Sequence, residues 1–243
     1  MSVSGSRVLA FLAGALMLSV SHAGAATLTV TSSVGGAPTG ISYVNFDNLT
    51  LGSGGGTSGG VTVSMSPDGQ AVVGASSGLY APPFLSNNNG VLFGDSTNGQ
   101  DATTYLTSGS TGSTAGAKVT LVFPTSELYM GLLWGSVDAF NTLTFFNGST
   151  LVGSVTGANV VAGPNGDQGV NGTLYVNINS DTAFDTVVAT STDHAFEFDN
   201  VSFDVRNQGQ TPLPASVWLF GSVLAGSGLF FRRRRIRGLS AAG

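Results

Sequence analysis

Val119-Thr120-Leu121-Val122-Phe123 sets Val119, Leu121 and Phe123 on one face of an extended chain, because strand side chains alternate sides with a period of two residues. Thr27-Leu28-Thr29-Val30-Thr31 and Val61-Thr62-Val63-Ser64-Met65 alternate in the same way. Strand-like runs recur at 128–134, 143–146, 151–155, 174–178, 184–189 and 195–205, which gives roughly ten strands with turn residues between them. No segment of the central region holds an apolar period of 3.6, so parallel folds with crossover helices are disfavoured. The expected fold is all-β: an antiparallel, jelly-roll-like β-sandwich, flanked by an N-terminal signal-peptide helix and a C-terminal transmembrane helix.

Two octapeptides echo each other across the domain, Val44-Asn45-Phe46-Asp47-Asn48-Leu49-Thr50-Leu51 and Phe196-Glu197-Phe198-Asp199-Asn200-Val201-Ser202-Phe203. Apolar residues hold even positions before the Asp-Asn pair and odd positions after it. A strand can change phase in this way only through a bulge or bend, so kinks are expected at both pairs. The two strands should also lie near each other in one sheet, with the pairs capping each other's bulges. Asn147-Gly148 reads as a tight type I′ hairpin, since both residues tolerate positive φ. The glycine- and serine-rich stretches 52–60, 86–90 and 108–116 read as flexible loops.

The ends carry addresses. Arg7, an apolar run over 8–20 and small residues ending in Ala23-Gly24-Ala25 form a secretory signal peptide, with cleavage expected after Ala25 and Ala23 and Ala25 filling the signal-peptidase pocket. At the other end 215–231 carries no charge and runs into Arg232, Arg233, Arg234 and Arg235. At about 1.5 Å per residue it covers roughly 25 Å, enough to span a membrane that thins slightly. The arginines keep that end in the cytoplasm and the body of the protein outside it. The expected organisation is therefore a signal peptide (1–25), a β-sandwich ectodomain (26–207), a linker with a sorting motif (208–214), a transmembrane helix (215–231) and a basic cytoplasmic tail (232–243).

The tail Thr211-Pro212-Leu213-Pro214-Ala215, its apolar span and its arginine run resemble the PEP-CTERM class of sorting signals in the Val-Pro-Leu-Pro-Ala variant, with Thr211 at the variant's usual valine. That resemblance implies recognition at Pro212, Leu213, Pro214 and Ala215 by an exosortase of a Gram-negative bacterium. It also implies an inner-membrane-anchored precursor with a periplasmic body that passes to the cell surface or medium. The implied partners are the Sec translocon, signal peptidase, exosortase and an extracellular polysaccharide. The stretch from Leu128 to Phe146, with the closing Phe196-Glu197-Phe198-Asp199-Asn200, resembles exosortase-dependent surface proteins with a jelly-roll-like body and no assigned reaction.

Composition narrows the function. All 13 acidic residues lie between the two signals, where Lys118 and Arg206 are the only bases, leaving that region a net charge near −11. Nucleic acid is therefore disfavoured as a partner and divalent cations are attracted. The absence of cysteine removes disulfides, thiol catalysis and thiolate metal sites.

Catalytic groups do not assemble into a pattern. His194 stands beside Asp193 and Ser191, but neighbours on a strand point to opposite faces, which suits a turn histidine better than a triad. Glu127 or Glu197 could in principle serve as a glycosidase acid with a nearby aspartate as its partner, yet Glu197 alternates with Phe196 and Phe198 and reads as an outward strand residue. The expectation is a non-enzymatic surface or matrix protein without a required cofactor.

Calcium is the one ion the residues suit, through hard oxygens at Asp47, Asp167, Asp199 and Asn200, although Asx turns explain the same residues without metal. The alternative function is a carbohydrate-binding module, calcium-assisted, that stacks sugars on Tyr80, Tyr105 or Trp134. Four Asn-x-Ser/Thr sequons occur, at Asn48, Asn147, Asn171 and Asn200.

Overall fold

The computed structural model describes residues 26–40, 42–110 and 117–208. The Ala23 and Ala25 processing site, the Pro212-Leu213-Pro214-Ala215 motif, the 215–231 span and the Arg232 to Arg235 run lie outside the described residues. Among the described residues no helix is long and apolar enough to cross a membrane.

The described chain runs through β1 (Leu28–Ser33), β2 (Ser42–Val44), β3 (Gly56–Ser58), β4 (Val61–Ser66), β5 (Gln70–Val72), β6 (Phe84–Leu85), β7 (Gly99–Gln100) and β8 (Tyr105–Ser108). It continues through β9 (Lys118–Gly135), β10 (Asn141–Asn147), β11 (Thr150–Thr156), β12 (Leu174–Ser191) and β13 (Phe196–Asp204). A 3-10 turn at Val91–Phe93 and one helical turn, α1 (Gly157–Val160), are the helical segments among the described residues. The protein is all-β, and its strands pair antiparallel.

Four of the runs read separately in the sequence join into two long strands. Residues 119–123 and 128–134 both belong to β9, and 174–178 and 184–189 both belong to β12. The polar breaks between them, Pro124-Thr125-Ser126 and Ser180-Asp181-Thr182, do not turn the chain around. The two strands lie side by side along their length, and their register slips at these breaks, where Glu127 faces Phe184 but Val122 faces Thr186. Proline has no N–H to give a ladder, so Pro124 is tolerated at such an irregularity.

Each long strand therefore serves two branches of one sheet. The first half of β9 pairs with β4 and its second half with β13, while β12 offers its first half to β1 and its second half to β10. The side chains that both branches turn inward form one apolar core. Phe123 from one branch meets Phe203 from the other with centroids 5.1 Å apart, and Phe145 meets Phe184 at 5.0 Å. Trp134 stacks on Phe196 at 4.3 Å in the same core.

The two echo segments are neighbours, as expected, with Val44 opposite Val201. The second bends where foreseen: register with β9 shifts between Asp199 and Ser202, and Asn200 takes φ 53°. The first bends one residue before its pair, at Phe46 with φ 60°, in a turn closed by Leu49 N donating to Phe46 O. No hydrogen bond joins the two Asp-Asn pairs directly. The hairpin of β10 and β11 is also displaced by one residue. Asn147 is a strand residue paired with Thr150, so Gly148 and Ser149 make the turn; only Gly148 has positive φ, and this is not the type I′ turn expected.

The largest departure from expectation concerns β13. Alternation predicts one buried and one wet face, yet all nine residues of β13 are buried. The polar face is covered by the excursion from β5 to β8, residues 73–104. Leu85 of that excursion packs on Leu133 and Tyr175, Phe84 N donates to the Thr173 hydroxyl oxygen, and Ala81 N donates to Glu197 Oε1. Glu197 is thus an enclosed carboxylate with 2% exposure rather than an outward one.

Candidate functional site

The bend in β13 presents Asp199 to the cover, and the cover presents two further aspartates to it. Asp95 follows the 3-10 turn, its N–H donating to Gly90 O, and Asp101 follows β7, its N–H donating to Pro83 O. Carboxylate oxygens of Asp95, Asp101 and Asp199 lie within 4.8 Å of one another. Asp199 has 0% exposure and Asp101 2%. Burial first, and then the charge of Asp101, hold the Asp199 carboxyl well above the usual range; burial likewise raises Asp95.

Donors hold the rim of this cluster. Asn200 Nδ2 donates to Asp95 Oδ2 at 2.6 Å, and the Thr103 hydroxyl lies between Asp95 Oδ1 and Asp101 Oδ1. Asp47 stands just outside, with Oδ1 receiving Thr104 N and Oδ2 receiving Asn45 Nδ2, and it feels the charge of Asp101. The interior is bare. Asp199 Oδ1 and Oδ2, Asp101 Oδ2 and Asn200 Oδ1 are buried with no hydrogen-bond partner. This all-oxygen set could hold a hard cation.

Of the four calcium candidates read from the sequence, the structure brings Asp199 and Asn200 into one cluster with Asp47 at its edge. Asp167 lies elsewhere. Its Oδ1 accepts Gly169 N at 2.9 Å in an exposed Asx turn. Asp95 and Asp101 were not singled out in the sequence.

A second feature is a cleft of about 520 Å³ between the 75–81 segment and the turns at 136–140 and 165–168. Asp138, Asp193 and Glu197 line it together with Tyr80, Phe140 and His194. Glu197 at its floor is fixed by Ala81 N at 3.1 Å and the Ser136 hydroxyl at 2.6 Å; burial outweighs those donors and pushes its carboxyl up to about 7. Asp138 is raised by burial and then by the charge of Asp193.

The remaining candidates fall into ordinary places. His194 Nδ1 lies 3.3 Å from Gly109 O, whereas the Ser191 hydroxyl bonds toward Asn141 Oδ1 and Asp193 O, so no hydrogen bond joins histidine to serine. Glu127 and Glu197 line separate cavities, Glu127 with Asp204 and Glu197 with Asp138 and Asp193. Tyr105 and Trp134 are fully buried, which removes both as exposed sugar platforms; Tyr80 alone of the three reaches a cleft. The sequon at Asn200 is buried, while Asn48, Asn147 and Asn171 are exposed. No family model, no curated protein and no solved structure matches the chain.

Proposed function

We propose that the chain is an exported surface protein of a Gram-negative bacterium with a non-enzymatic, jelly-roll-like sandwich as its mature body. It is delivered through the Sec translocon, trimmed by signal peptidase and released from the inner membrane by an exosortase. The observation that carries this reading is the order Pro212-Leu213-Pro214-Ala215, uncharged span, Arg232 to Arg235. Proline disfavours helix at and before its own position, so this order of residues suits recognition by a protease that grips an extended segment at the membrane surface. A cysteine-free, acidic β-domain suits such a destination.

Mass spectrometry of protein shed by a host with an active exosortase tests it. Peptides should end near Ala215, and replacing Pro212 and Pro214 should leave the protein in the membrane fraction. Shed protein that still carries the 217–231 peptide would overturn the proposal.

One observation favours a second reading, carbohydrate binding. Tyr80 and Phe140 line the same cleft as three carboxylates, the combination of aromatic and acidic groups that a sugar's apolar face and hydroxyls require. A glycan array probed with the wild type and with Tyr80→Ala separates the two readings, since only a binding module loses signal with that ring.

A further inference from the structure

Asp199 is fully enclosed; the Asn200 N–H and the Asp101 carboxyl lie near its carboxylate, but neither oxygen receives a hydrogen bond of ordinary geometry. Burying a carboxylate without a donor is among the costliest arrangements a protein can contain, so a proton or a cation must stand against it. A proton shared with Asp101 satisfies one oxygen of each. It leaves the second oxygen of Asp199 bare, and it does nothing for the buried Asn200 Oδ1. A side-chain cation is not at hand: among the described residues Lys118 is exposed on β9, the Arg206 guanidinium lies 3.3 Å from Asp204, and His194 lies against Gly109 O in the separate cleft.

We propose that Asp95, Asp101 and Asp199 together bind a calcium ion that latches the 73–104 cover onto β13. The donor set is all oxygen, with neither imidazole nor thiolate, which selects hard cations over zinc or copper. Oxygens within 4.8 Å of one another fit inside a calcium shell, whose opposite ligands stand about 5 Å apart, whereas magnesium dehydrates reluctantly and keeps waters that an enclosed carboxylate leaves little room for. The donors are polarised in the way a metal centre needs: Thr103 and Asn200 grip rim oxygens of Asp95 and Asp101, while Asp199 Oδ1 and Oδ2 and Asp101 Oδ2 are left free. Two ligands belong to the cover and one to the sheet, so the ion joins segments about a hundred residues apart in the chain. Because Asp199 is enclosed, the ion is structural rather than open to a substrate.

The test uses the purified full chain in detergent, stripped with chelator, its metal content read by inductively coupled plasma mass spectrometry before and after dialysis against calcium chloride. One calcium per chain is expected, with a melting temperature higher by about 5 °C or more at a hundredfold excess over Kd. Magnesium at equal concentration gives a smaller rise. Asp199→Asn, isosteric and uncharged, should bind calcium at least tenfold more weakly, yet melt no lower than the wild type in chelator, because the bare carboxylate is gone. Asp101→Asn should follow the same pattern, and Asp167→Asn should respond to calcium like the wild type. No retained calcium with an unchanged melting curve, or full calcium binding by both Asp199→Asn and Asp101→Asn, overturns the proposal.

Discussion

Trp134→Ala lowers the stability of the domain by about 3–5 kcal/mol, read by urea unfolding, the range expected when a large aromatic is deleted from a packed core. In a domain of this size that is a drop in melting temperature on the order of 10 °C. The ring has no exposed surface and stacks on Phe196 with a 26° interplanar angle, so truncation leaves a void that the rigid flanking strands cannot close. Trp134→Phe is the informative companion. The indole Nε1 is buried with no acceptor, a cost of about 1–3 kcal/mol that phenylalanine removes while keeping most of the stacking. We therefore expect Trp134→Phe to cost less than half of Trp134→Ala. Equal losses would mean that the orphan N–H contributes nothing.

Gly131→Ala is expected to cost about 1–3 kcal/mol through overpacking on the opposite face. Gly131 sits between Asn177 and Ser202 on the neighbouring strands. The slot left by its missing side chain holds two phenols. Tyr129 OH donates to Asn177 Oδ1 at 2.8 Å and Tyr175 OH lies 2.8 Å from Ser202 Oγ, with burial pushing the Tyr175 phenol up. A Cβ at position 131 would stand 2.6 Å from Ser202 Oγ and 2.8 Å from Tyr175 OH, and closer still to Tyr129 OH. Because Tyr129 OH is the nearest obstacle, the alanine should cost less in a Tyr129→Phe background. A double-mutant cycle by denaturant unfolding measures that coupling, and strict additivity would show that the clash is relieved elsewhere.

What the sequence makes legible here is whatever depends on near neighbours. Alternation at Val119, Leu121 and Phe123 gives the strands, and the phase change around Asp199-Asn200 gives the bulge. The same local rule misplaces Glu197, because alternation says which residues share a face and not what covers that face. The cover is the excursion 73–104, which shows little strand pattern of its own. A signal was present, since Pro82-Pro83-Phe84-Leu85 and Leu92-Phe93 are too apolar for a stretch that merely loops through solvent. Asp95 and Asp101 were illegible for the same reason. Each has an ordinary polar neighbourhood in sequence, and they become unusual only when β13 brings Asp199 between them. The joining of 119–123 to 128–134 was also hidden, because a polar break can mark either a turn or a bend, and only the partner strand decides between them.

The pairing order constrains when the domain can fold as the chain emerges from a ribosome or a translocation channel. β1 waits for β12 and β2 for β13, so two of the first four strands find their partners only after most of the described chain has appeared, whereas β4 pairs at once with β3 and later with β9. Leu28 and Ser180, partners in the finished sheet, stand some 150 residues apart along the chain. Long-range closure of this kind slows folding and leaves the early strands with unpaired edges. The described sheet is complete only once Phe196–Asp204, which pairs with β2, β8 and β9, has emerged.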